Sequence, residues 1–181
     1  MTPHPTDPRA RRALFLTLSA ELTGYDAIEL EGTGNVDAYQ ALVEQQCGPL
    51  IADMLYAAAA GVAQATGAGA RADAMRIDVL ASPIVWPLCQ AIITLWYLGS
   101  WTTPPAAWYQ GAGSPVPNGV TPGTPLTLPA QAYTAQLAYR AAGAHPPGAN
   151  PTGYGSWSLD PVFGDWPAIV ADLQTRPTDH R

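Results

Sequence analysis

Ile92-Ile93-Thr94-Leu95-Trp96-Tyr97-Leu98-Gly99-Ser100-Trp101 is the densest apolar and aromatic run in the chain. Counting back from Trp96, Ile92, Cys89, Leu88 and Val85 fall at helical spacing, and Ile93, Tyr97 and Trp86 fill the flanks. The segment therefore predicts a helix covered on several sides. Gly99, which can take a left-handed cap without strain, and Pro104-Pro105 beyond it stop that helix near Leu98. From Ile84 to Leu98 the run is interrupted by Pro87, Gln90 and Thr94, and it is shorter than the roughly 20 residues a bilayer core needs. The expectation is a core helix, with no direct membrane span.

Toward the N-terminus the pattern stays helical. Residues 1–6 read as a disordered tail. Asp7-Pro8 then offers an N-cap and a first-turn proline, Leu14, Leu18 and Leu22 form one stripe beside Phe15, and Gly24 closes the helix. Arg11-Arg12 ahead of an apolar stretch has the look of a twin-arginine export signal. Glu21 interrupts that stretch and no small-residue cleavage site follows, so a domain helix is the favoured reading. A second helix is expected from Val36 to about Gln46, capped by Asn35, with Tyr39, Leu42 and Val43 inward. Gly48-Pro49 breaks the chain, and a third helix follows to about Thr66 with Leu50, Met54, Leu55 and Val62 buried. A short helix around Ala72 to Leu80 and a turn at Ser82-Pro83 lead into the central helix.

The character changes after residue 100. Between Thr102 and Asp165 lie eleven Pro and nine Gly, punctuated by Trp108, Tyr109, Tyr133, Tyr139, Tyr154, Trp157 and Phe163. So many aromatic anchors argue against a loose linker and for an ordered, extended wrap lying on something. A wrap of this length raises the expectation of a second protein beneath it. Only Pro129 to Ala142 suggests another helix in this part, and Asp165-Trp166-Pro167 starts a last short one through Leu173. The fold class is thus all-α, a small helical bundle over 7–100 with a Pro/Gly-rich, aromatic and mostly irregular C-terminal wrap over 101–175 in the same domain, then a tail over 176–181.

Composition narrows the function. The 181 residues contain no Lys and eight scattered Arg, carry a net charge of −6, and are only 12% charged with six Trp. No basic stripe exists to follow a phosphate backbone, which argues against nucleic acid. So little charge beside so many rings suggests a surface handed to a partner. Cys47 and Cys89 match no metal-ligand spacing and are expected to be buried thiols, although in an oxidising compartment they could pair.

Candidate chemistry is sparse. His4 and His180 sit in the tails, leaving His145 as a possible base with a carboxylate such as Asp160. Asp160 and Asp165 suit turns and caps better than a catalytic pair, and Asp73 and Asp78 read as a solvated helix face. Pro151 disqualifies Asn150-Pro151-Thr152 as a glycosylation acceptor. No nucleophile elbow, phosphate loop, zinc box or haem motif occurs. A free-standing small enzyme using His145, or a sugar-binding module with aromatic platforms, is the alternative to a binding subunit.

Three stretches taken together, Leu14-Phe15-Leu16-Thr17-Leu18-Ser19-Ala20-Glu21-Leu22-Thr23-Gly24, Ile93-Thr94-Leu95-Trp96-Tyr97-Leu98-Gly99, and Tyr139-Arg140 through Gly153-Tyr154-Gly155-Ser156-Trp157 to Asp160-Pro161, resemble the small subunit of membrane-bound FAD-dependent sugar and polyol dehydrogenases, the sorbitol, fructose, glucose and gluconate enzymes among them. The resemblance implies a non-catalytic, chaperone-like subunit, without a cofactor of its own, that binds and supports the maturation of a large FAD-containing catalytic subunit. It also implies that FAD and any iron-sulfur cluster reside in that partner, that a cytochrome c subunit can take the electrons, and that the complex works at the periplasmic face of the membrane. The residues expected to serve as core or interface anchors are Trp96, Tyr97, Trp101, Tyr139, Arg140, Tyr154 and Trp157. The segment from Trp101 to Pro129 is longer than the family pattern.

Overall fold

The structure is a computed structural model that describes residues 7–144 and 146. The expected tails, His145, the stretch through Tyr154, Trp157 and Asp160, and the last short helix lie outside the described residues. Helix α1 spans Pro8–Thr23 and begins as its sequence dictates: the Asp7 carboxylate accepts from the Arg9 amide at 3.2 Å, and Pro8 occupies the first turn, where its missing N–H costs nothing. Gly24 ends it with φ 76°, its N–H donating to the Ala20 carbonyl. One short helix escapes the periodicity. Helix α2, Ala27–Glu31, is held by a reciprocal cap in which Asp26 accepts from the Glu29 amide at 2.8 Å and Glu29 accepts from the Asp26 amide at 3.1 Å.

The second and third expected helices form one element, α3, Val36–Gln64, continuous across a kink at Gly48, whose φ 76° and ψ 169° only glycine adopts without strain. That kink resets the buried face. Leu50, expected in the core, is 44% exposed, whereas Ile51, Leu55 and Val62 are buried. Asn35 does occupy the cap position of α3, but its side chain makes no capping bond. Helix α4, Ala68–Ala74, runs into a π-helical segment, Met75–Leu80, replacing the single short helix expected there. The Ser82 hydroxyl then accepts from the Val85 amide, opening α5, Val85–Leu98, which Gly99 closes at φ 55° as its sequence requires.

Helices α1, α3 and α5 pack on one another around Phe15, Leu18, Val43, Leu55, Leu88, Ile92, Leu95 and Trp96. Helix α5 is buried on one broad side only, with Gln90, Thr94 and Leu98 facing out. The twin arginines dock the helices. Arg11 pairs with Asp53 at 2.5 Å and lies over the Tyr56 ring, while Arg12 pairs with Glu31 at 2.7 Å and Asp37 at 2.5 Å. Within the folded chain both residues belong to a domain helix. No single helix among the described residues is long and apolar enough to cross a membrane, and α5 meets the segment before it at 105°.

The wrap, as far as residue 144, folds back onto this bundle, with Trp101, Trp108, Tyr109, Ala132 and Leu137 in its core. Strands β1, Trp101–Thr102, and β2, Pro125–Leu126, pair antiparallel, Trp101 opposite Leu126 and Thr102 opposite Pro125. They close the neck of a loop that carries an unexpected helix, α6, Ala106–Gly111. The loop is pinned at the α3 kink. Tyr109 donates to the Gln46 carbonyl at 2.7 Å, Thr103 donates to the Gln46 side chain at 2.9 Å, and the Trp108 indole donates to the Ile84 carbonyl at 3.2 Å. The Pro/Gly-rich segment after Trp101 is thus a wedge against α3. The helix expected over Pro129–Ala142 is two, α7 at Ala130–Thr134 and α8 at Leu137–Ala141. Every aromatic side chain among the described residues is buried or half-buried.

Cys47 and Cys89 are free thiols in the core, and burial pushes each from its ordinary 9.0 up to about 12. The folded chain therefore keeps two protons that the unfolded chain releases once pH passes 9. Stability from this source is complete below pH 9 and falls as pH rises toward 12, by up to about 2.7 kcal/mol per unit for the two thiols together. Urea titrations at pH 8 and pH 10 will show a drop that a Cys47→Ala, Cys89→Ala double variant keeps only in smaller part, from the buried phenols Tyr39, Tyr56 and Tyr109, which burial also pushes up; an identical drop in that variant would exclude the thiols as a source.

Candidate partner-binding site

The Leu14–Gly24 and Ile93–Gly99 stretches meet at one end of the bundle. Ser19 on α1 is buried and accepts from the Trp96 indole at 3.0 Å, and one helical turn on, the Tyr97 hydroxyl donates to the Thr23 carbonyl at 2.8 Å. A serine and a threonine four residues apart thus receive two consecutive aromatic residues. Tyr39 meets the Trp96 ring edge to face at 4.8 Å. These bonds fix the rotation of α5 against α1.

Beyond Thr23 the same end becomes partly exposed. The Tyr97 ring contacts Tyr25 edge to face at 6.3 Å, the Arg140 guanidinium lies 5.8 Å from the Tyr25 ring, and Arg140 comes within 3.9 Å of Glu29. Tyr139 and Tyr133 pack edge to face at 5.9 Å with their hydroxyls 3.3 Å apart. Gln136 anchors α8 by donating to the Leu98 carbonyl at 2.7 Å. Arg140, Tyr97 and Tyr139, three of the anchors expected from sequence, therefore belong to one end of the molecule. Aromatic rings with an arginine, half-covered rather than sealed, are the side chains that dominate protein interfaces.

Trp96 and Trp101 do not belong to that surface. Each is 1% exposed and serves the core, which settles their choice between core and interface. Tyr154 and Trp157 lie outside the described residues. The residues that sequence reasoning missed are Tyr25 and Glu29, whose signal was present in the capping pair Asp26 and Glu29. Ile28, 81% exposed, and Leu98, 53% exposed, are large apolar residues on α2 and α5 left to solvent.

Among the described residues no group of three or more His, Cys, Asp or Glu is placed to hold a metal ion. Asp73 pairs with Arg76 at 2.9 Å on the surface, and Asp78 packs over Gly61, where a Cβ would overlap its carboxylate. Comparison with family models, curated proteins and solved structures finds no match to this chain.

Proposed function

We propose that this chain is a non-catalytic, chaperone-like small subunit that binds a large FAD-containing sugar or polyol dehydrogenase subunit and supports its maturation, in a complex that a cytochrome c subunit can complete at the periplasmic membrane face. One observation carries the reading. The serine-threonine stretch of α1 and the tryptophan-tyrosine stretch of α5, distant in sequence and both part of the resemblance, are joined by the Ser19–Trp96 and Thr23–Tyr97 hydrogen bonds. The half-exposed cluster of Tyr25, Tyr97, Tyr139 and Arg140 beside those bonds supplies the side chains suited to a partner's surface.

The test is capture of the partner by its chemistry. The tagged chain, produced in its native host, is expected to retain a yellow protein whose flavin is bleached by a sugar or polyol. Arg140→Glu, which gives up the contacts to Glu29 and the Tyr25 ring and whose folding is checked by circular dichroism, should weaken that retention about tenfold or more. Captured material without flavin absorbance, or a co-produced flavoprotein whose yield and activity ignore this chain, would overturn the proposal.

A further inference from the structure

A pocket of about 300 Å³ lies between α3 and the segment leading into α7, away from the reaction chemistry assigned to any partner. Leu42 on one side and Leu128, Pro129 and Ala132 on the other make its lining largely apolar, and the polar residues Asn35, Tyr39, Gln45 and Gln131 line it as well. Asn35 and Tyr39 are 4% and 3% exposed, yet Asn35 Nδ2 and the Tyr39 hydroxyl have no hydrogen-bond partner. Buried donors without acceptors are uncommon because their desolvation is uncompensated. Asn35 departs from local rules twice, since a cap residue ordinarily turns its side chain onto the helix amides and this one does not. Such departures concentrate where a site is built.

The lining selects the ligand class. No charged side chain lines the pocket, so an ion would lose its hydration for nothing, and a sugar would leave most of its hydroxyls unmet. Burial pushes the Tyr39 phenol up to about 12, so it keeps its proton and remains a donor. Two buried neutral donors among apolar walls, with the exposed Gln45 and Gln131 amides also on the lining, suit one acceptor on an apolar body. We propose that this pocket binds a small uncharged carbonyl compound, whose oxygen accepts from Asn35 Nδ2 and the Tyr39 hydroxyl while its apolar part lies against Leu42, Leu128 and Pro129. Both donors are closed to solvent, so entry shifts the 128–132 wall, which is tied to the turn before α3 through a long bond of 3.5 Å from Gln131 to the Gly34 carbonyl.

Acetophenone and ethylbenzene, alike in shape and different in the carbonyl, separate this idea from greasy adsorption. Titrated into the full chain and followed by amide NMR, acetophenone is expected to shift the Asn35 side-chain amide and the Ala38 and Ala132 backbone amides to saturation, and ethylbenzene to bind about tenfold more weakly. Tyr39→Phe removes a hydroxyl that bonds to nothing in the chain, so the fold persists while the preference for acetophenone shrinks. Leu42→Trp should block both compounds. The absence of saturable shifts, equal binding of the two compounds by the wild type, or a preference untouched in both Tyr39→Phe and Asn35→Ala would overturn the proposal.

Discussion

Trp96→Ala is expected to destabilise the chain by about 4–6 kcal/mol, enough to leave many domains of this size largely unfolded. Removing a sealed tryptophan deletes its apolar burial and leaves a cavity, which together cost about 3–5 kcal/mol. The Ser19 hydroxyl then loses the indole donor inside the core, and Tyr39 loses the ring it meets edge to face. Trp96→Phe keeps a ring in the site and loses the hydrogen bond, so it should cost about 1–3 kcal/mol. Urea denaturation followed by circular dichroism measures both. An alanine variant with an unshifted midpoint would mean that α5 does not form the centre of the core.

Gly99→Ala should follow at about 2–4 kcal/mol, for two reasons that a control can separate. Its φ of 55° places a β-carbon in the left-handed region, at a cost of about 1–2 kcal/mol. In addition, that carbon would stand 2.6 Å from the Ala132 carbonyl oxygen, so α7 has to move. Gly24 caps α1 with the same handedness, φ 76°, and nothing lies within 4 Å of a β-carbon there. Gly24→Ala should therefore show the backbone cost alone, about 1–2 kcal/mol. Equal losses at the two positions, read from the same urea curves, would show that the approach of α7 to Gly99 carries no energy. Because Ala132 also lines the pocket beside α3, the Gly99 variant should disturb acetophenone binding as well, whereas the Gly24 variant should not.

Helix ends were the most legible part of the fold. Asp7-Pro8, Gly24 and Gly99 act within one turn of themselves, and the structure uses each as its chemistry suggests. Phase was harder to read. A third helix read as starting afresh after Gly48-Pro49 put Leu50 inside with Met54 and Leu55, where the structure buries Ile51 and leaves Leu50 exposed. Helices α2 and α6 are too short to show a period, and what defines them is a reciprocal cap in one case and anchoring to Gln46 in the other. Proline and glycine content was read as irregularity, but closure of the loop neck depends on which residues pair across it, Trp101 with Leu126, and composition holds no record of pairing.

The same limit shaped the reading of the site. Arg140, Tyr97 and Tyr139 were named among its anchors and Tyr25 was not, yet Trp96 and Trp101 could not be told from surface anchors, since a tryptophan inside and one on a partner-facing patch look alike in a sequence. What separates them is a long-range bond such as Trp96 to Ser19, which spans 77 positions.

That separation has a consequence during synthesis. The apolar side of α1 emerges from the ribosome long before α5 exists to cover it, and the Gln46 carbonyl waits still longer for Tyr109. Truncated nascent chains ending before Leu98 should therefore be sticky and protease-sensitive, and synthesis through the wedge loop should bring abrupt resistance.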